Sequence, residues 1–247
     1  MSEKPKNITK ALVDGDVIVY KSAFSKSSVT PEDAEGVVDE VMDYIIGQTV
    51  VFPHGNNFFC WITGKNNFRH RIAKTRDYKG NRRNSEKPVH YTHVREYLKE
   101  RWGAQVTEGC EADDAISIEA YKGDPKSTVI VSVDKDMLTV PCWNFNFTSG
   151  IWTKKTEWES LLFFYEQILT GDRVDNIIGL YGIGEKKAQG ILEGATTEEE
   201  LFQKCLDAYD GNYDRVVENG RLLHLQKWEK EIWEPPEKYQ RDLKPKK

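Results

Sequence analysis

The feature that most constrains the fold is a set of short, continuous apolar runs, two of them with an acidic residue at or just beyond the end. Ala11-Leu-Val-Asp14, Phe58-Phe-Cys-Trp-Ile62 and Thr128-Val-Ile-Val-Ser-Val133 lack the polar alternation of a half-solvated strand. Such runs are strands buried on both faces. Between them Pro31 to Ile46, Tyr91 to Trp102 and Ala112 to Tyr121 read as helices. The order predicts an α/β fold with a mostly parallel central sheet flanked by helices. Trp143-Asn-Phe-Asn-Phe147 alternates, as expected of an edge strand. After about residue 157 the strand signal stops. Glu157 to Leu169 reads as a helix, Thr170 to Gly184 as a turn with four glycines, and Glu185–Leu192, Thr197–Tyr209 and Asn212–Leu225 as further helices. The expected organisation is a core over 1–157, a helical subdomain over 158–234 and a polar, frayed tail over 235–247.

Hydrophobic residues make up 38% of the 247 and charged residues 30%, with 7 Trp, 11 Tyr and 10 Phe. That is the balance of a soluble globular chain, not a disordered one. No apolar run approaches the roughly 20 residues of a membrane helix. The opening MSEKPKNITK is charged and has no apolar signal core, so a cytoplasmic location is expected. Cys60, Cys110, Cys142 and Cys205 are far apart with no Cys-x-x-Cys pair, which excludes a zinc knuckle and suits reduced thiols. The net charge of −5 conceals an asymmetry. Lys65 to Arg101 holds 12 Lys/Arg against 4 Asp/Glu, a balance of +8, so the remainder carries −5 − 8 = −13. A basic block in an acidic chain points to a polyanion met at one place, or to a charged helical hairpin facing solvent.

Four acidic clusters fall at element boundaries: Asp14-Gly-Asp16, Glu111-Ala-Asp113-Asp114, Asp134-Lys-Asp136 and the pair Asp172 and Asp175. A single Asp-x-Asp is commonly a cap or turn. Four clusters are a different matter, because crowded carboxylates raise one another's pKa unless cations neutralise them. Mg²⁺ suits oxygen donors and shares phosphate oxygens with a substrate. Two such ions roughly 4 Å apart activate a water and stabilise the leaving oxygen in phosphodiester hydrolysis.

The order DGD (14–16), YKGNR (78–82), EADD (111–114), VDKD (133–136) and GDRVDNIIGLYGIGEKKA (171–188) resembles the 5′ nuclease superfamily. That superfamily comprises flap endonucleases, polymerase-associated 5′→3′ exonucleases and short phage-encoded exonucleases. The resemblance spans residues 11 to about 192. Length and the stretch from Gly220 to Trp233 make the chain most like the phage enzymes. It implies a PIN-like core, a basic helical arch over about 65–101 and a helix–three-turn–helix element in the C-terminal subdomain. By the same resemblance Asp14, Glu111 and Asp113 are first-metal ligands. Asp134, Asp136 and Asp172 are second-metal ligands, with Asp113 between the ions, and Asp114 and Asp175 are auxiliary. The implied cofactor is Mg²⁺, with Mn²⁺ able to substitute, and K⁺ at the glycine turn.

Phe68-Arg69 and Tyr78-Lys79-Gly80-Asn81-Arg82-Arg83 match the segment leading into the arch. Charge building on a transferring phosphoryl group needs a cation beside it, which makes Lys79 the candidate, assisted by Arg82 or Arg83. Arg69 and Tyr78 fall in the same DNA-contacting block. Tyr20 matches an aromatic that stacks on a base near the cut, with core packing as its alternative. Gly182, Gly184, Lys186 and Lys187 belong to the turn, whose amides and cations would hold a phosphate without reading bases. One departure stands out. Many members carry an aspartate after the second strand, whereas this chain reads Trp61-Ile-Thr63-Gly64. Asp16 either compensates or is a plain strand-end turn residue.

The resulting expectation is an Mg²⁺-dependent, two-metal 5′→3′ exonuclease or flap endonuclease. It would act on duplex or flapped DNA, and on RNA primers in hybrids, in phage DNA replication or degradation. It would be a monomer that engages no membrane and works beside replication proteins in the host cytoplasm. The competing readings are a PIN-type single-stranded RNA endonuclease and a non-catalytic DNA-end binding protein.

Overall fold

The computed structural model describes residues 4–53, 57–83 and 85–240. His54, Asn84 and residues 241–247 of the tail lie outside them. The chain divides into two compact units. One comprises Met1–Phe68, Asn84–Glu157 and Leu225–Glu229; the other comprises Arg69–Arg83, Trp158–His224 and Lys230–Lys247. The division after Glu157 falls where the strand signal stops, but residues 69–83 of the basic block group with the helical unit.

The first unit is built on six strands: β1 (Lys10–Asp14), β2 (Phe58–Lys65), β3 (Gln105–Glu108), β4 (Thr128–Val131), β5 (Trp143–Asn146) and β6 (Ile151–Lys154). Their order is β3-β2-β1-β4-β5-β6, parallel throughout except for the antiparallel β5–β6 pair. Side-chain alternation assigns the two faces. Ala11, Val13, Cys60, Ile62, Val129 and Val131 point to α1 (Gly15–Ala23), α2 (Pro31–Thr49) and α4 (Tyr91–Trp102), where Ile18, Val38, Met42, Ile45 and Leu98 meet them. Leu12, Trp61 and Ile130 point to the opposite face and pack on Ala112, Ile116 and Ala120 of α5 (Ala112–Tyr121). Continuous apolar strands thus arise because both faces are covered. The strand expected at the edge, Trp143–Phe147, is instead inside it, covered by β6 through the Trp143↔Lys154 to Asn146↔Ile151 register.

In this order the chain leaves β1 for β2 and β3 on one side, then returns to β4 and β5 on the other. The carboxyl ends of β1 and β4 therefore flank the topological switch point, where open α/β sheets bind their ligands.

The second unit contains α3 (Arg69–Ile72), α6 (Glu157–Thr170), the two-residue strands β7 (Gly171–Asp172) and β8 (Ile177–Ile178), α7 (Glu185–Leu192), α8 (Glu198–Ala208) and α9 (Tyr213–Leu223). Its core includes Tyr78, Phe164, Tyr165, Ile168, Leu201, Phe202 and Trp233. Gly171 and Gly179 let the hairpin close: a Cβ on Gly179 would lie 2.2 Å from the Thr170 carbonyl carbon, and one on Gly171 2.2 Å from the Gly179 nitrogen. Asn219 holds the hairpin, its Nδ2 donating to Ile178 O at 2.9 Å and Ile168 O at 3.1 Å. The tail expected to fray is packed as far as it is described. The Tyr239 ring lies 4.8 Å from that of Phe202, and its hydroxyl donates to Gln203 at 2.9 Å.

Candidate functional site

Asp14 ends β1 and caps α1. Its Oδ1 accepts from the Asp16 and Val17 amides at 3.1 and 3.3 Å, and its Oδ2 accepts from the Ser132 hydroxyl at 2.7 Å. Ser132 in turn accepts from the Asp134 amide at 3.0 Å, which joins the ends of β1 and β4 across the switch point. Asp14 is 2% exposed. Burial, then the charge of Asp16, pushes its carboxyl up to about 7, and Asp134 adds to the rise. Asp134 is exposed and caps the turn Lys135–Thr139, accepting from the Asp136 amide at 2.9 Å; Asp136 is half-buried.

The EADD cluster opens α5. Glu111 is its buried N-cap and Asp113 is half-buried in the first turn. Asp114 is fully buried, and both its oxygens are engaged by backbone: Oδ2 by the Glu111 amide at 3.0 Å and Oδ1 by the Gln226 amide at 3.2 Å. That makes Asp114 a structural cap holding the 225–229 segment.

Thr63, at the departure from the family pattern, ties these elements together. Its hydroxyl accepts from the Ala112 amide at 2.9 Å, and its own amide donates to Asp16 Oδ2 at 3.0 Å. Arg95 from α4 completes the link, donating to Asp16 Oδ1 at 3.3 Å and to Thr63 O at 2.7 Å. Asp16 thus places a carboxylate at the end of β2, beside Thr63. Ser132 and Arg95 were missed in the sequence. Nothing set Ser132 apart within an apolar run, and Arg95 was one of twelve cations in the basic block.

The helical unit carries the remaining candidates. Asp172 Oδ1 accepts from the Val174 amide at 2.6 Å and the Asp175 amide at 3.3 Å. Asp175 Oδ1 pairs with Arg82 Nη2 at 2.9 Å, while its Oδ2 accepts from the Tyr78 hydroxyl at 2.6 Å and lies 3.6 Å from Lys79 Nζ. Arg83 pairs at the surface with Asp77 at 3.0 Å. Two candidate DNA contacts are instead packing groups. Tyr78 is 3% exposed, so its ring has no face for a base. Arg69 is 1% exposed, with Nε donating to Leu222 O at 2.8 Å and Nη2 to His224 O at 2.7 Å, so it satisfies the carbonyls at the end of α9.

Tyr20 of the sheet unit is exposed. It lies 6.1 Å from Phe24 at an interplanar angle of 20°, and 5.4 Å from Tyr91. In the glycine turn, Gly182 has φ +73°, Gly184 caps α7, and Lys187 Nζ donates to Gly182 O at 2.8 Å; Lys186 is exposed.

Among the described residues, no three His, Cys, Asp or Glu side chains form a preformed metal cage. The donors at the switch point nonetheless fit a hard divalent cation, since all are carboxylate oxygens and burial, then the neighbouring charges, disfavours the ionised Asp14. Among the described residues, no helix is long and apolar enough to cross a membrane.

No model of a known protein family matches the chain. It is 27% identical over 237 residues to a DNA polymerase I of Caldicellulosiruptor bescii, covering 85% of this chain and 27% of that protein. It is 29% identical over 211 residues to a 5′-3′ exonuclease of Buchnera aphidicola subsp. Schizaphis graminum, covering 77% and 72%. The chain thus spans just over a quarter of the polymerase and most of the exonuclease. In structure it is similar to a bacteriophage T5 flap endonuclease complexed with DNA and metal ions, at TM-score 0.60, 18% identity and coverage of 85% and 88%. That likeness is one of fold. In motif order and in sequence the chain resembles the 5′ nuclease superfamily, and its fold is similar to that of the T5 enzyme.

Proposed function

We propose that the chain is a divalent-metal-dependent 5′ nuclease, hydrolysing phosphodiesters of DNA at 5′ ends or flaps. The observation that carries this reading is the carboxylate cluster at the switch point, where buried Asp14 is crowded by Asp16 and Asp134. A divalent cation bound there would favour the charged form of these crowded carboxylates. The Buchnera relative is named a 5′-3′ exonuclease, and the T5 structure was solved with DNA and metal ions, which supports both substrate and cofactor class.

The cation of choice is Mg²⁺, with Mn²⁺ as substitute. Asp14, Glu111 and Asp113 are the proposed ligands of one ion. Asp134 and Asp136 are proposed ligands of a second, and Asp172 is retained as a ligand candidate. Bound there, the ions supply an activated water and charge stabilisation for the leaving oxygen. The chain's own residues do the rest. Ser132 and the α1 amides orient Asp14, Thr63 and Arg95 orient Asp16, and Lys79 and Arg82 offer positive charge to the phosphoryl group in transfer. Exposed Tyr20 offers a ring to an unpaired base, and the Gly182–Lys187 turn offers amides and cations to the backbone, with K⁺ as its proposed ion. Action on RNA–DNA hybrids, a monomeric state, work beside replication proteins in a phage-infected cytoplasm, and passage of a 5′ end beneath the basic arch complete the proposal.

The test offers a 5′-labelled flap, a blunt duplex and a single-stranded RNA, each with Mg²⁺ or EDTA. Mg²⁺-dependent release of label from either DNA is expected. Cleavage of the RNA alone would establish the PIN-type alternative, and binding without cleavage the non-catalytic one.

A further inference from the structure

In the helical unit, segment 77–83 is fastened to the β7–β8 hairpin by backbone and side chains at once. The Lys79 amide donates to Asp175 O at 2.9 Å, and Asn176 Nδ2 donates back to Asp77 O at 2.8 Å. Asn81 Nδ2 reaches Arg173 O at 2.9 Å, and Arg82 Nε reaches Val174 O at 3.1 Å. Lys79 and Asn176 both hold left-handed backbone, at φ +52° and +60°. A lysine keeps that conformation only where its surroundings over-determine it. The side chains converge in the same place. Asp175 Oδ1 pairs with Arg82, and Oδ2 takes the Tyr78 hydroxyl and faces Lys79 Nζ, which also lies 5.2 Å from the centre of the Tyr78 ring.

A lysine on its four-carbon stem is otherwise a roving charge. Here Asp175 restricts it, facing Lys79 and Arg82 at once. We propose that Asp175 is a positioning residue that acts through Lys79, which it holds beside Arg82, and not by holding a metal ion. The kinetic part of this inference rests on the nuclease reading.

The experiment combines Asp175→Asn with Lys79→Ala singly and together, on a 5′-labelled flap across a Mg²⁺ titration. Asp175→Asn should lower kcat about tenfold without moving the Mg²⁺ midpoint, and cost less than about twofold more once Lys79 is alanine. Losses that multiply, or a raised Mg²⁺ midpoint in Asp175→Asn, would make Asp175 a metal ligand and overturn the proposal. Hydrogen exchange of the 77–83 peptide in metal-free, DNA-free protein provides a readout independent of turnover. Faster exchange in Asp175→Asn is expected, and unchanged exchange overturns the tether. Should the wild type cleave nothing, the nuclease reading fails while the exchange result still decides the tether.

Discussion

At Asp14 two demands oppose each other. The carboxylate must be buried to cap α1 and accept from Ser132, yet burial beside Asp16 and Asp134 penalises its charge. Asparagine keeps an acceptor for the helix cap and removes the charge. In EDTA, Asp14→Asn should therefore be more stable than the wild type by about 1–3 kcal/mol, read as a higher Tm in calorimetry. Millimolar Mg²⁺ should raise the wild-type Tm and leave the variant's nearly unmoved. A variant that melts lower in EDTA, or gains as much from Mg²⁺, would show that Asp14 is not a strained ligand. Ser132 and Thr63 are the neutral donors beside these carboxylates, the Ser132 hydroxyl to Asp14 and the Thr63 amide to Asp16.

Among the elements, the β7–β8 hairpin shows most directly how sequence dictates local geometry. Gly171 and Gly179 meet back to back, and no side chain fits between them. Gly179→Ala should cost about 3 kcal/mol or more, because its Cβ would press on backbone at Thr170. Gly190→Ala, inside α7 with open space around it, should instead stabilise by about 0.5–1 kcal/mol. Urea denaturation of the pair checks both signs, and equal effects would remove the close-approach argument. Elements with a strong apolar period were legible in the sequence: β1, β2, β4 and helices α4, α5 and α7 match the runs read there. Helix α1 was not, because it starts inside Asp14-Gly-Asp16, which reads as a turn. Strands β3 and β6 have four residues each and lie at the sheet edges, where burial leaves little pattern. At the site, carboxylate positions were readable from strand ends. The burial of Arg69 and Tyr78 was not, since their partners lie about 150 and 97 residues away.

For the whole molecule, charge is unevenly spread, with a +8 block inside a chain of net −5. Such a chain should bind polyanions through a limited set of cations, with steep salt dependence. Replacing Lys186 and Lys187 with alanine should lower the slope of log K against log salt for duplex DNA by about 1–2, equally for unrelated sequences. Fluorescence anisotropy across a salt series measures this, and an unchanged slope would remove the glycine turn from the interface. The central claim is that the acids at the sheet's switch point carry out metal-dependent cleavage. Its most direct test is the single-turnover rate of wild type and Asp134→Asn on a 5′-labelled DNA flap at millimolar Mg²⁺, with DNA affinity measured on the same samples. The account predicts that cleavage is abolished while DNA affinity is kept or tightened, because a charge repelling phosphate is gone. Near-wild-type turnover by Asp134→Asn would contradict it.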